Sequence, residues 1–248
     1  MKIKICGLRR PEDVAYANEV RPDYVGFILT DGFRRSITKE TARELKSKLA
    51  PGITAVGVFV NEPVEHVVEF LDEGIIDVAQ LHGDESEEDV VYVKAATGKP
   101  VIKVVRFIKQ EDGKVLNSSD GQAGNQDVAK TVKSSDVQAG NQEAAKLMNR
   151  YAVEAWLDSA ADYLLFDSGT GTGKTFDWNV LTDVLADYGG KLPKEFFLAG
   201  GINAENVGEA YETVQPYAVD LSSSVETEGV KDLDKMRLAV SAVRKYHG

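Results

Sequence analysis

The sequence predicts an α/β protein: a (βα)8 TIM barrel, one domain over residues 1–248, with a repeat-containing insertion between its fifth strand and fifth helix. Three observations lead there. Short apolar runs alternate with longer amphipathic stretches along the whole chain, in eight such pairs, and repeated βα units imply parallel strands with right-handed crossovers. The runs are near-continuously apolar rather than alternating, as in strands buried on both faces. No GxGxxG follows the first run, so the fingerprint of the competing doubly wound open sheet is missing. With 248 residues and 43% apolar content, one large core is expected.

The elements follow in order. Residues 2–7 form the first strand and residues 11–20 the first helix, with Pro11 suited to the opening turn. The second strand covers 24–29, a loop 30–37, and a helix 38–49. The third strand covers 54–60, and Asn61 and Pro63 open a helix that runs to about residue 72. After the fourth strand, 78–81, Ser86 with Glu88 and Asp89 behind it marks a helix start. The fifth strand spans 101–107 and the sixth 163–166. The seventh, 196–199, is ended by Gly200 and Gly201, and the eighth covers 218–221. A helix over 232–246 closes the chain.

One segment breaks this rhythm. Residues 109–150 are far longer than a usual βα loop. They hold a tandem repeat of period sixteen, SSDGQAGNQDVAK at 118–130 and SSDVQAGNQEAAK at 134–146. It reads as a solvated, partly helical duplication that the fold tolerates, as a lid on the active face, or as an oligomer contact. Its polar composition favours the first. Its AAK end, continuing into LMNRYAVEAWL, extends the fifth helix.

Composition narrows the partners. The net charge is -11 and the pI about 4.9, so no basic face is available for nucleic acid. The single cysteine, Cys6, excludes an intrachain disulfide and fits a reducing compartment. The N-terminal MKIKICGL is too short and charged for a secretory signal, and no apolar run approaches membrane length. The expectation is a soluble cytoplasmic protein with no membrane partner, acting as a monomer or homodimer.

The reactive groups cluster at predicted strand ends, which in a barrel face one mouth. The stretch LLFDSGTGTGKTFDW, residues 164–178, ends a buried run on Asp167, opens a Gly-rich loop through Lys174, and starts a helix near Asp177. A lone acid there is placed as a catalytic acid or base, or as a turn cap. Cys6 ends the first strand, Arg34 and Arg35 follow the second, and Gln80 and His82 end the fourth. Gly200 and Gly201 follow the seventh strand, and Ser222, Ser223 and Ser224 follow the eighth. Glycines that let backbone N–H groups approach an anion, next to serine donors, predict a phosphate site. Cys6 and Asp167 form a plausible acid–base pair needing no metal. No His, Cys and carboxylate cluster has ligand spacing, so a zinc site is not expected. His82 suits a supporting role. Arg35 suits a substrate carboxylate, though either arginine could be a surface charge.

Taken together, KICGL, VGFIL, RRSIT, VGVFVN, QLHGDE, FDSGTGTGKTFDW, FLAGGINAENV and VDLSSSVE resemble the phosphoribosylanthranilate isomerase family of tryptophan biosynthesis, in that family's order. The resemblance implies a (βα)8 barrel and a cofactor-free Amadori rearrangement. N-(5-phosphoribosyl)anthranilate would become 1-(2-carboxyphenylamino)-1-deoxyribulose 5-phosphate. It implies that Asp167 is the general acid, Cys6 the general base, and Arg35 the partner of the anthranilate carboxylate. Gly200, Gly201, Ser222 and Ser223 match its phosphate loops. Three features depart from the family pattern: Ala199, where a serine is usual; Ser224, where a glycine is usual and positive φ would strain a serine; and the repeat. The competing readings are a related phosphoribosyl imidazole isomerase of histidine biosynthesis, which would use two aspartates, and a non-catalytic sugar-phosphate-binding barrel.

Overall fold

A computed structural model describes residues 1–107, 109–111, 114–116, 142–167 and 178–246. The loop 168–177, with Lys174 and Asp177, and residues 117–141, which hold most of the repeat, lie outside the described residues. Eight parallel strands close into a barrel. They are β1 (Lys2–Cys6), β2 (Tyr24–Ile28), β3 (Thr54–Phe59), β4 (Val78–Leu81), β5 (Val101–Arg106), β6 (Tyr163–Asp167), β7 (Phe196–Leu198) and β8 (Ala218–Leu221). Each pairs with its neighbour in sequence, and closure comes from β1 on β8, with Lys4 opposite Asp220. Among the described residues the helices are α1 (Pro11–Val20), α2 (Lys39–Ser47), α3 (Val64–Asp72), α4 (Glu87–Thr97), α5 (Gln142–Leu157), α6 (Asn179–Asp187), α7 (Val207–Val214) and α8 (Leu233–Arg244).

Local chemistry sets the helix starts. Pro11 occupies the first turn of α1, and Asp13 accepts from the backbone N–H groups of Arg9 and Arg10 at 3.0 and 3.1 Å. Thr38 caps α2 by accepting from Thr41 N. Ser86 caps α4 in a reciprocal box: its hydroxyl accepts from Asp89 N, and the Asp89 carboxylate accepts from Ser86 N. Asp232 caps α8, accepting from Asp234 N and Lys235 N.

Alternation along the strands builds two cores. Outward residues such as Ile5, Phe27, Leu81, Phe166 and Leu198 pack under the helices. Inward residues Tyr24, Val56, Val78, Ile102, Leu165, Phe197 and Ala218 fill the lower barrel. One pleat further toward the C-terminal ends, the same inward faces carry Cys6, Gln80, Asp167 and Asp220. The apolar floor and the polar layer above it are therefore one alternation read at two heights.

The sequence-based boundaries differ from the structure mainly at strand ends, where the last residue turns into the loop. The fifth strand ends at Arg106 and the seventh at Leu198, one residue short of each expectation. Within the segment read as inserted, a short hairpin pairs Lys109–Glu111 with Lys114–Leu116, and α5 covers Gln142–Leu157. The extension of the fifth helix into the AAK end is present. Two features after β8 have no counterpart in the sequence reading: a 3-10 turn, Ser223–Val225, and a hairpin of Glu226–Thr227 with Val230–Lys231. Among the described residues no helix is long and apolar enough to cross a membrane.

Candidate active site

A cavity of about 720 Å³ opens at the C-terminal ends of the strands. Its lining brings together Cys6, Arg35, Gln80, His82, Asp167, Gly200, Gly201 and the three serines 222–224, whereas Arg34 is not part of it. Ile28, Val58 and Ala199 supply apolar wall between them.

Cys6 sits low in this cavity, nearly buried at the end of β1. Its strand partner on β2 is Gly26. A Cβ on Gly26 would lie 2.6 Å from Cys6 Sγ, so the missing side chain makes the room that the thiol occupies. Burial pushes the thiol's pKa up; the Lys4 ammonium opposes this, Asp220 adds to it, and Lys231 opposes it again. Beneath Cys6, Lys4 is fully buried and donates to Asp220 Oδ2 at 2.8 Å. Burial favours the neutral amine, but Asp220 and Cys6 outweigh it, and the lysine's pKa is raised. Burial also raises Asp220, against the pull of Lys4.

Asp167 ends β6 and faces the cavity. His82 Nε2 lies 3.6 Å from Asp167 Oδ2. Gln80 Nε2 stands 2.9 Å from His82 Nδ1. Gln80 and Asp167 thus flank the two ring nitrogens of His82. The backbone at His82 is held from below: Arg106 donates to the His82 carbonyl, and Lys103 donates to Gly83 O at 2.9 Å and to Glu85 Oε2 at 2.7 Å.

Arg35 is tied down. Its Nε and Nη2 donate to the two carboxylate oxygens of Glu226 at 2.7 and 2.9 Å. Arg34 Nη2 and Lys231 Nζ donate to the same carboxylate at 2.8 and 2.9 Å. Burial alone would raise Glu226, but hydrogen bonds from Arg35 and Lys231 dominate and hold it at about 2. Three cations thus meet on one carboxylate, and of the three Arg35 lines the cavity.

The opposite rim has the form of a phosphate cradle. Gly200 and Gly201 have φ of 83° and 74°, a conformation that side chains disfavour. Asn206 Nδ2 donates to the Gly201 carbonyl at 3.0 Å and shapes the turn. After β8, Ser222 donates to the Cys6 carbonyl at 3.1 Å, and Lys231 donates to the Ser222 carbonyl at 2.9 Å. Ser224 lies inside the 3-10 turn and is not among the residues with positive φ, so the strain anticipated there is absent. Its hydroxyl is buried on the cavity wall and has no partner among the described residues, as a donor awaiting an anion would be.

A family profile described as N-(5'phosphoribosyl)anthranilate (PRA) isomerase matches residues 3–128 and 122–242, two pieces that overlap inside the repeat. The chain belongs to the phosphoribosylanthranilate isomerase family. Similar relatives, each named N-(5'-phosphoribosyl)anthranilate isomerase, include one from Thermoanaerobacter sp. (strain X514), 40% identical, and one from Endomicrobium trichonymphae, 36% identical. Each alignment covers 98% of both chains. Among solved structures, the family's enzyme from Thermus thermophilus superposes with a TM-score of 0.73 at 29% identity, covering 100% of both chains. A phosphoribosyl anthranilate isomerase in complex with reduced 1-(o-carboxyphenylamino)-1-deoxyribulose 5-phosphate gives 0.71 at 28% identity, with 99% of each chain covered.

The sequence reading did not single out four residues that form the ion pairs around this cavity: Lys4, Asp220 as an individual group, Glu226 and Lys231. A signal for two of them was present. Lys4 in KIKIC and Asp220 in AVDL are charges set inside buried strands, which such strands tolerate only with partners.

Proposed function

We propose that this chain catalyses the cofactor-free Amadori rearrangement of N-(5-phosphoribosyl)anthranilate to 1-(2-carboxyphenylamino)-1-deoxyribulose 5-phosphate. The carrying observation is the meeting of Cys6, Asp167, Arg35 and both glycine and serine loops in one cavity. Asp167, in its acid form, protonates the furanose ring oxygen, and the ring opens to a Schiff base. Cys6, as thiolate, takes the proton from C2 and leaves an enolamine, which tautomerises to the ketone. His82 and Gln80 orient Asp167. Arg35 turns its guanidinium toward the anthranilate carboxylate. The 5-phosphate rests against Gly200, Gly201, Ser222, Ser223 and Ser224. The charges match the ligand: a cationic cluster for the carboxylate, and backbone and hydroxyl donors for the phosphate. The protein works in the cytoplasm, where a lone thiol stays reduced, as a monomer or homodimer. A relative from Thermotoga maritima is described as dimeric.

The test follows loss of the fluorescence of phosphoribosylanthranilate made in situ. Wild type turns over, whereas Cys6→Ser and Asp167→Asn each lose about a hundredfold or more in kcat, with phosphate-ligand binding retained. Turnover by wild type should rise as pH climbs above neutrality, because burial holds the Cys6 thiol protonated. Binding without turnover in the wild type would instead mark the barrel as a binding module.

A further inference from the structure

Lys231 and Glu226 lie off the cavity wall, yet together they join two residues that form it, Arg35 and Ser222. We infer that Lys231 is a positioning residue: with Glu226 it makes a buried bridge that fixes the span between the carboxylate end of the site, at Arg35, and the phosphate end, at Ser222. This deepens the proposed function and rests on its placing of the substrate's two anionic groups at those ends.

The bridge is continuous in hydrogen bonds. Arg35 donates from Nε and Nη2 to the two oxygens of Glu226 at 2.7 and 2.9 Å. Lys231 Nζ donates to Glu226 Oε1 at 2.9 Å and, with a second of its three hydrogens, to the Ser222 carbonyl at 2.9 Å. The Ser222 hydroxyl donates in turn to the Cys6 carbonyl at 3.1 Å. The loop after β2, the loop after β8 and the end of β1 are thereby tied together. The side chains of Lys231 and Glu226 are only 1% and 5% exposed, so little water competes for these bonds.

The same geometry presents the arginine. Glu226 takes the Nε–Nη2 edge of the guanidinium, and the Nη1–Nη2 edge is left to meet a carboxylate with two parallel N–H groups. Gly7 sets the stem: a Cβ there would collide with Arg35 Cδ, so the arginine crosses the backbone at the residue beside Cys6.

Holding the hairpin after β8 does not require this bridge. The Gly229 carbonyl at its turn accepts from Arg9 Nη2 at 3.1 Å and from Arg34 Nη1 at 3.2 Å. Asp232 N donates to the Val225 carbonyl at 3.0 Å. Glu226 and Lys231 face each other as register partners, and a pair serving the hairpin alone would stop at its own salt bridge. Here Lys231 reaches on to the serine loop and Glu226 to the arginine. A rigid span lets a ligand that carries both anions bind both ends at once, because neither end must be ordered to receive it.

The test is binding, with two stable ligands: reduced 1-(o-carboxyphenylamino)-1-deoxyribulose 5-phosphate, and the same molecule with phenylamino in place of carboxyphenylamino. Wild type should prefer the carboxylate-bearing ligand by about tenfold or more. In full-length Lys231→Met, which leaves the Arg35 and Glu226 side chains unaltered, that preference should shrink to about threefold or less. An undiminished preference, including one in which both ligands weaken by the same factor, would overturn the bridge and leave Lys231 a support of the fold or of the serine loop. If circular dichroism shows that Lys231→Met does not fold, Glu226→Asp decides, since it keeps the charge and shortens the span by one methylene. A smaller preference there supports the bridge, and an undiminished one refutes it. A wild type that binds the two ligands equally would sink the placing of the carboxylate at Arg35 and the bridge with it. An inactive wild type that keeps the preference would sink the proposed reaction alone, and the ratio in Lys231→Met would still decide the bridge.

Discussion

Glu226 shows how one side chain can organise a binding mouth. Its carboxylate is nearly buried and takes hydrogen bonds from Arg34, Arg35 and Lys231. Buried charge is tolerated because it is paired several times over, and the pairing fixes the plane of the Arg35 guanidinium at the cavity edge. The pH consequence has a definite sign. Glu226 titrates at about 2 in the folded chain, below its ordinary 4.5, so its stabilisation is present above the ordinary value. It is lost as pH falls from about 4.5 toward 2. Glu226→Gln should therefore destabilise the fold at neutral pH by on the order of 3 kcal/mol. Urea midpoints measured across the acid range should show the two proteins converging as pH approaches 2. A gap that stays constant with pH would mean the loss comes from packing, not from the charge.

At the scale of elements, the β1–β2 pairing is what seats the base. Gly26 stands opposite Cys6, and any Cβ there would meet Sγ at 2.6 Å and the Cys6 Cα at 3.1 Å. The second contact is with backbone, so the strain cannot be relieved by a rotamer change alone. Gly26→Ala should cost about tenfold or more in kcat, because the thiol is displaced, while inorganic phosphate binding at the glycine and serine loops persists. Wild-type kcat in Gly26→Ala would show that the position of Sγ is not tightly specified.

For the molecule as a whole, the barrel fixes the two ends between which the repeat lies. The barrel closes through eight strands, and β5 and β6 pair in register from Ile102↔Tyr163 to Arg106↔Asp167 whatever lies between them in sequence. A longer connection between fixed ends costs little, about 0.6 kcal/mol for each doubling of loop length. Deleting one sixteen-residue unit, residues 118–133, should thus leave the urea midpoint nearly unchanged and kcat/KM within about twofold. A large fall in kcat/KM with the midpoint intact would favour the lid. A fall in sedimentation mass would favour the oligomer contact.

The pattern of apolar runs was enough to place the strands, because burial on both faces leaves little choice of residue. Ser86, Pro11 and Asp232 mark helix starts through chemistry local to a few residues. The candidate site was legible for the same reason: Cys6, Gln80, Asp167, Gly200 and Ser222 stand where strands run out, and parallel strands bring those ends together. What sequence could not specify were the partners across the barrel. Lys4 and Asp220 are 216 residues apart, and Arg35 and Glu226 191 apart. Each pair depends on the closure of β1 on β8, and that register is a property of the folded sheet. A charge inside an apolar strand announces that it needs a partner, because desolvation demands one. Which residue answers is set by three-dimensional neighbourhood, and here that choice places a lysine beneath the thiol and a carboxylate behind the arginine.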